Sequence, residues 1–159
     1  MNGVRQRQNG IAIVEFAIVG AMTFVVLIGV IEVGRVFFTF NALEEATRRG
    51  ARVAAVCEVN DPAIADITVF SSALAPGSST LVGGLTSGNV AVEYLTSAGG
   101  VIADPIGDYG DIAFVRVRIV NFQYQLLIPI VARTFTVPPF ATTLPRESLG
   151  VYPTGTSTC

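Results

Sequence analysis

Lysine, histidine and tryptophan are all missing from this sequence. Without histidine the commonest general base and metal ligand is gone, and the serines of Ser71-Ser72 and Ser78-Ser79 have no ordinary Ser-His pair to join. Cysteine occurs only at Cys57 and Cys159, which do not form a metal-ligand cluster. Charge is scarce too. Ten arginines face twelve acidic residues for a formal net charge of -2, which argues against a nucleic-acid partner. No glycine-rich phosphate loop occurs. Asp104, Asp108 and Asp111, with Gly107 and Gly110, could suggest a calcium loop. Their spacing lacks the ladder of oxygen ligands and the closing Glu of an EF-hand, so a solvated acidic turn is the better reading. The expectation is a protein with no catalytic residue, no cofactor and no metal, and not an enzyme.

What the chain has is apolar residues. They make up 51 % of its 159 positions, one domain's worth of protein. The excess is concentrated from Ile11 to Ile31, IAIVEFAIVGAMTFVVLIGVI, where Glu15 is the only charge. A hydrocarbon core about 30 Å thick is crossed by roughly 20 apolar helical residues. The run is apolar on every face, unlike a buried soluble helix. A cleaved secretory signal is the rival reading, because Arg5 and Arg7 precede the run as a basic n-region would. Against it, the run outlasts a typical signal core and no small-x-small site follows. Arg5 and Arg7 predict a cytoplasmic N-terminus with the remainder outside, though Arg35 and later arginines weaken the asymmetry.

Helical periodicity continues past the span through EVGRVFFTFNALEEATRRGARVAAVCE without a proline. Leu43, Ala46 or Thr47, Gly50, Val53 and Cys57 form one apolar stripe. Glu44 with Arg48 and Glu45 with Arg49 have the acid-before-base order that supports an exposed helix. One helix from Ile11 to Cys57 would be about 70 Å long. A break near Asn41, whose spacing to Glu44 resembles a capping pair, is the alternative. Ala46, Gly50 and Ala54 make a ridge of small residues that would either let another helix approach closely or fit beneath the chain's own outer domain.

The stretch Gly10-Ile11-Ala12-Ile13-Val14-Glu15-Phe16 resembles the processing site of type IV prepilins, in which a short basic leader ends in Gly and precedes an apolar helix with Glu fifth. The Glu-Phe pair, the short leader and the later ALEEATRRGARVAA are similar to TadE-like pseudopilins of tight-adherence (Flp-type, type IVb) pilus systems. ATTLPRE, Ala141 to Glu147, is similar to that family's C-terminal region. The outer part otherwise carries no diagnostic motif. The resemblance implies cleavage between Gly10 and Ile11 by a prepilin peptidase, and partnership with the membrane, other pilin or pseudopilin subunits and the pilus assembly machinery. It places the protein in the inner (cytoplasmic) membrane, with possible incorporation into a pilus. A carboxylate within hydrocarbon needs a partner, and nothing basic in the span can serve Glu15. The freed amine of Ile11 on a neighbouring subunit could. Glu15 reaching water at the cytoplasmic interface is the other reading.

Beyond Asp61-Pro62, a helix start with Asp as N-cap, a short helix to about Ala73 is predicted. Strands are predicted over Asn89–Thr96, Asp111–Tyr124, Thr134–Val137 and Phe140–Leu144. Leu126–Ala132 reads as an apolar turn or helix around Pro129. The expected fold is α+β: a long helix, transmembrane then emergent, packed on a small antiparallel sheet. Its parts are a basic leader (1–10), a transmembrane helix (11–33), its extension (34–58) and an extracytoplasmic domain (59–159). Outside the cytoplasm, Cys57 and Cys159 could form a disulfide pinning the tail to the helix, or remain two thiols. A stand-alone membrane-tethered binding domain is the alternative to a structural pilin-like subunit.

Overall fold

The computed structural model describes residues 9–127, 133–153, 155–156 and 159. The predicted leader therefore lies outside the described residues except for Asn9 and Gly10, as does most of the apolar turn predicted around Pro129.

Helix α1 runs unbroken from Asn9 to Val56, 48 residues or about 72 Å. Asn41 does not interrupt it, because no proline or glycine pair weakens the ladder there. Its two halves live differently. From Gly10 to Ile31 every side chain is exposed or nearly so. From Glu32 onward one stripe is buried, through Thr39, Leu43, Ala46, Thr47, Gly50, Ala51, Ala54 and Ala55. Val53, placed on the stripe by its spacing, is only half-buried at its margin; Ala54 takes the central position.

Against that stripe pack α2 (Ala63–Thr68) and a three-stranded antiparallel sheet in the order β1 (Val90–Leu95), β2 (Phe114–Ile119), β5 (Phe140–Pro145). Register explains which face is buried. Val92 opposes Val117, and Tyr94 opposes Val115, on the helix side. Glu93 opposes Arg116 on the other face and bridges both Arg116 and Arg118. The alternation of β2 is the period-two pattern of a half-buried strand. Two hairpins complete the fold: β3 (Gln123–Gln125) with β4 (Thr134–Thr136), and β6 (Val151–Tyr152) with β7 (Gly155–Thr156).

Three expectations need correction. The predicted strand 111–124 is two strands, divided where Asn121 adopts φ 55°, a conformation Asn tolerates better than most residues. The short helix ends at Thr68 rather than near Ala73. There Phe70 turns left-handed (φ 57°) and the Ser71 N–H reaches back to the Asp66 carbonyl, a Schellman-type stop. Third, Glu44 pairs with Arg48 at 2.6 Å, but Arg49 lies over the Phe70 ring, 5.4 Å from its centroid, instead of joining Glu45.

The ridge of small residues has an occupant within the chain. A Cβ on Gly50 would collide with the Thr68 side chain and come 3.0 Å from Val117 Cγ1. Ala46, Gly50 and Ala54 are all buried beneath α2 and the sheet, so the close approach they permit is that of the outer domain. The core divides along the helix. A cluster nearer the bare stretch gathers Leu43, Val69, Leu85, Ile119, Phe122 and Tyr124, and one farther along α1 gathers Ala54, Ile64, Tyr94, Val115, Val117 and Leu149.

Candidate functional site

Gly10, Ile11, Glu15 and Phe16 occupy the opening turns of α1. The four-residue spacing of Ile11 and Glu15 puts them on one face. Ile11 and Phe16 are 73 % and 79 % exposed, and Glu15 is exposed among Val14, Ile18 and Val19 with no ion-pair or hydrogen-bond partner among the described residues. Open space surrounds the position a Cβ on Gly10 would take. The helix here is a bare apolar rod carrying one carboxylate. None of its most apolar stretch is buried by the other described residues, which fits a single-pass membrane protein.

The cysteines lie at the opposite end of α1, about 60 Å away along the axis. Cys57 is buried and bonded to Cys159, with Cα atoms 5.7 Å apart. The Cys159 N–H also donates to Asp61 Oδ2 at 2.7 Å. Here the helix leaves unsatisfied carbonyls, and the segment after β5 supplies their donors. Glu147 and Leu149 N–H bond Ala55 O, while Gly150 N–H bonds Val56 O at 2.7 Å. The Arg-Glu of ATTLPRE thus falls where the chain leaves β5 and turns onto the helix terminus. Tyr94, fully enclosed nearby, accepts the Asn60 N–H at 3.0 Å. Burial, chiefly, raises its pKa above the ordinary 10.0.

Sequence reasoning missed Glu32. It is 5 % exposed, one residue beyond the apolar run. Its carboxylate accepts from Arg35 Nη1 at 2.7 Å, the Tyr124 hydroxyl at 3.1 Å and the Leu127 N–H at 3.4 Å. Arg35 lies over the Tyr124 ring, 5.6 Å from its centroid. Burial first, and then the bond to Glu32, raise the Tyr124 pKa. The cluster fastens the foot of the outer domain to α1 where the helix leaves its bare stretch. Glu32 and Arg35 at i,i+3 were visible in the sequence as a pair; Tyr124, 92 residues away, was not.

Asp104 explains the acidic turn. Its Oδ1 accepts the N–H groups of Ile106 and Gly107 at 3.2 and 3.0 Å, so the carboxylate organises its own loop.

Comparison with known proteins finds one similarity, and it is confined to the helix. A family model described as "TadE-like protein" matches residues 10–52. Residues 10–52 are similar to that family. The TadE-like match opens at Gly10, takes in Glu15 and Phe16 and the buried stripe to Arg52, and stops before the outer domain. No curated protein and no solved structure matches the chain.

Proposed function

We propose that the chain is a structural, non-enzymatic pseudopilin that takes part in assembling a tight-adherence pilus or a related secretion pseudopilus. In this reading a prepilin peptidase cuts after Gly10, Ile11 becomes the mature N-terminus, and Glu15 of one subunit pairs with the Ile11 amine of its neighbour. The N-terminus faces the cytoplasm, the outer domain stands on the extracytoplasmic side, and α1 crosses the inner membrane. The observation that carries the reading is a carboxylate with no partner among the described residues, on a bare apolar helix within the segment similar to that family.

The physics supports it in two ways. A lone carboxylate in hydrocarbon costs several kcal/mol, which a cation from an adjacent helix offset by one turn, about 5.4 Å, would offset. The outer domain also leaves that stretch of α1 uncovered, so neighbouring helices can reach it.

Mass spectrometry of the mature protein tests the reading. The expected N-terminus is Ile11. Gly10→Leu should leave a band that never shortens, and Glu15→Ala should insert in the membrane yet fail to assemble. An intact leader in the working protein, or assembly at the normal level by Glu15→Ala, would sink it.

A further inference from the structure

We infer that the foot of the outer domain rests in the lipid headgroup layer, with Leu127 and the groove beside it as the contact and phospholipid as the occupant. The inference rests on α1 spanning a bilayer, and goes beyond it by assigning a second, peripheral membrane contact to a different part of the chain.

The groove has a volume of about 530 Å³ and runs between α1 and the outer domain, lined by Arg35, Phe38, Leu81, Gly83, Tyr124 and Leu127 among others. Its rim exposes apolar side chains: Phe38 is 57 %, Leu81 53 % and Leu127 65 % exposed. In water that surface has no evident use. Its height along the helix supplies one. If the hydrocarbon ends at Ile31, the headgroup region, about 5 to 8 Å thick on each side, takes in the next four or five helical residues at 1.5 Å apiece. Glu32 and Arg35 are among them. The Leu127 N–H is bonded to Glu32, so Leu127 is held at that level, while Phe38, about 10 Å beyond Ile31 along α1, lies just outside the layer with Leu81, which lines the same groove.

The chemistry of the lining fits the same occupant. Arg35 is the one charged residue among the described residues that line it, and the bond to Glu32 uses one of its five N–H donors. Guanidinium donors left over match a lipid phosphate, while Leu127, held at the level of Glu32 on the hydrocarbon side of Arg35, matches the apolar shoulder beneath it. Phe38 and Arg35 also share a helix row with Gly34 and Ile31, both exposed, so the groove runs on to the bare face of α1. A lipid covering one therefore meets the other.

The chain contains no tryptophan, so single-Trp variants report one place each. The full-length protein would be placed in phosphatidylcholine vesicles whose acyl chains are brominated near the headgroup. Leu127→Trp and Leu81→Trp probe the foot, Phe24→Trp the span and Tyr152→Trp the distal end. The expected result is a blue-shifted Leu127→Trp emission, with quenching between that of Phe24→Trp and that of Tyr152→Trp, and a weaker response from Leu81→Trp. Quenching of Leu127→Trp no greater than that of Tyr152→Trp, with Phe24→Trp still quenched, overturns the inference and leaves the span standing. Loss of quenching at Phe24→Trp as well overturns both. A blue-shifted emission that ignores bromine and reddens as protein is diluted in the vesicles would mean a second copy covers the foot, which also refutes lipid as the occupant.

Discussion

Gly50→Ala should weaken the outer domain rather than the contact between subunits. The added methyl meets Thr68 Oγ1 and Cγ2 and Val117 Cγ1, the latter two at 3.0 Å. Thr68 cannot swing aside. It is fully buried, its hydroxyl donates to the Ile64 carbonyl at 2.6 Å, and its β-branch leaves few rotamers. The helix must move off α2 and β2 instead, and with the Thr68 hydroxyl in outright collision the overpacking falls in the upper part of its usual range, at about 2 to 3 kcal/mol. Alanine's helix propensity returns about 1 kcal/mol. The net loss is about 1 to 2 kcal/mol, which lowers the melting temperature of a domain this size by roughly 5 to 15 °C. The assay is thermal unfolding in detergent followed by tyrosine near-ultraviolet circular dichroism, which the always-helical span does not contaminate. Thr68→Ala in the same chain removes two of the three clashes and should recover most of the loss, giving a coupling of about 1 kcal/mol in a double-mutant cycle. An unchanged melting temperature with failed assembly would refute the reasoning and assign the ridge of Ala46, Gly50 and Ala54 to another subunit.

Glu32→Ala strands the Tyr124 hydroxyl and the Leu127 N–H, at about 1 to 3 kcal/mol for each unsatisfied group; Tyr124→Phe, which keeps the Arg35 pair, should cost about 1 kcal/mol, and hydrogen exchange at Leu127 separates the two. Cys159→Ser opens a loop whose ends are 102 residues apart, so a loss of about 2 to 5 kcal/mol is expected. Reductant should lower the melting point of the parent but not of the variant, and an equal fall in both would refute this. Tyr94 and Tyr124 hold their protons more tightly folded than unfolded. Their contribution is therefore whole below the unfolded value of 10.0 and drains as pH climbs past it. Melts run across that range should be flat up to about pH 10 and then decline; a decline beginning near neutrality would implicate other groups.

Where one element decides its own structure, the sequence was readable. The unbroken helix follows from a long apolar run joined to a four-residue stripe with no proline. Strands β1 and β5 follow from alternation bounded by turn residues. Failures came where partners distant in the chain decide. The split of residues 111–124 turns on a single left-handed Asn121, a residue that looks unexceptional inside a run of alternating apolar side chains. Arg49 abandons Glu45 because α2 brings the Phe70 ring within reach, and Glu32 acquires its value only when Tyr124 is folded against it. Hairpin β6–β7 is too short and polar to stand out. At the helix start the reverse holds. Gly10, Ile11, Glu15 and Phe16 were legible as a pattern, and the fold adds only that the other described residues leave them bare.

The bond between Cys57 and Cys159 has a mechanical corollary. Every residue from Glu58 to Thr158 belongs to a covalent ring hung from the tip of a rigid rod. A pull applied anywhere on that ring divides between two routes back to Cys57, so each carries only part of the load. Even with every strand undone, the ring could lengthen by no more than half the contour of the same segment left open. A molecule tugged by this ring while its rod is held fast would yield a short, stiff extension, and chemical reduction would turn that into a long, soft one.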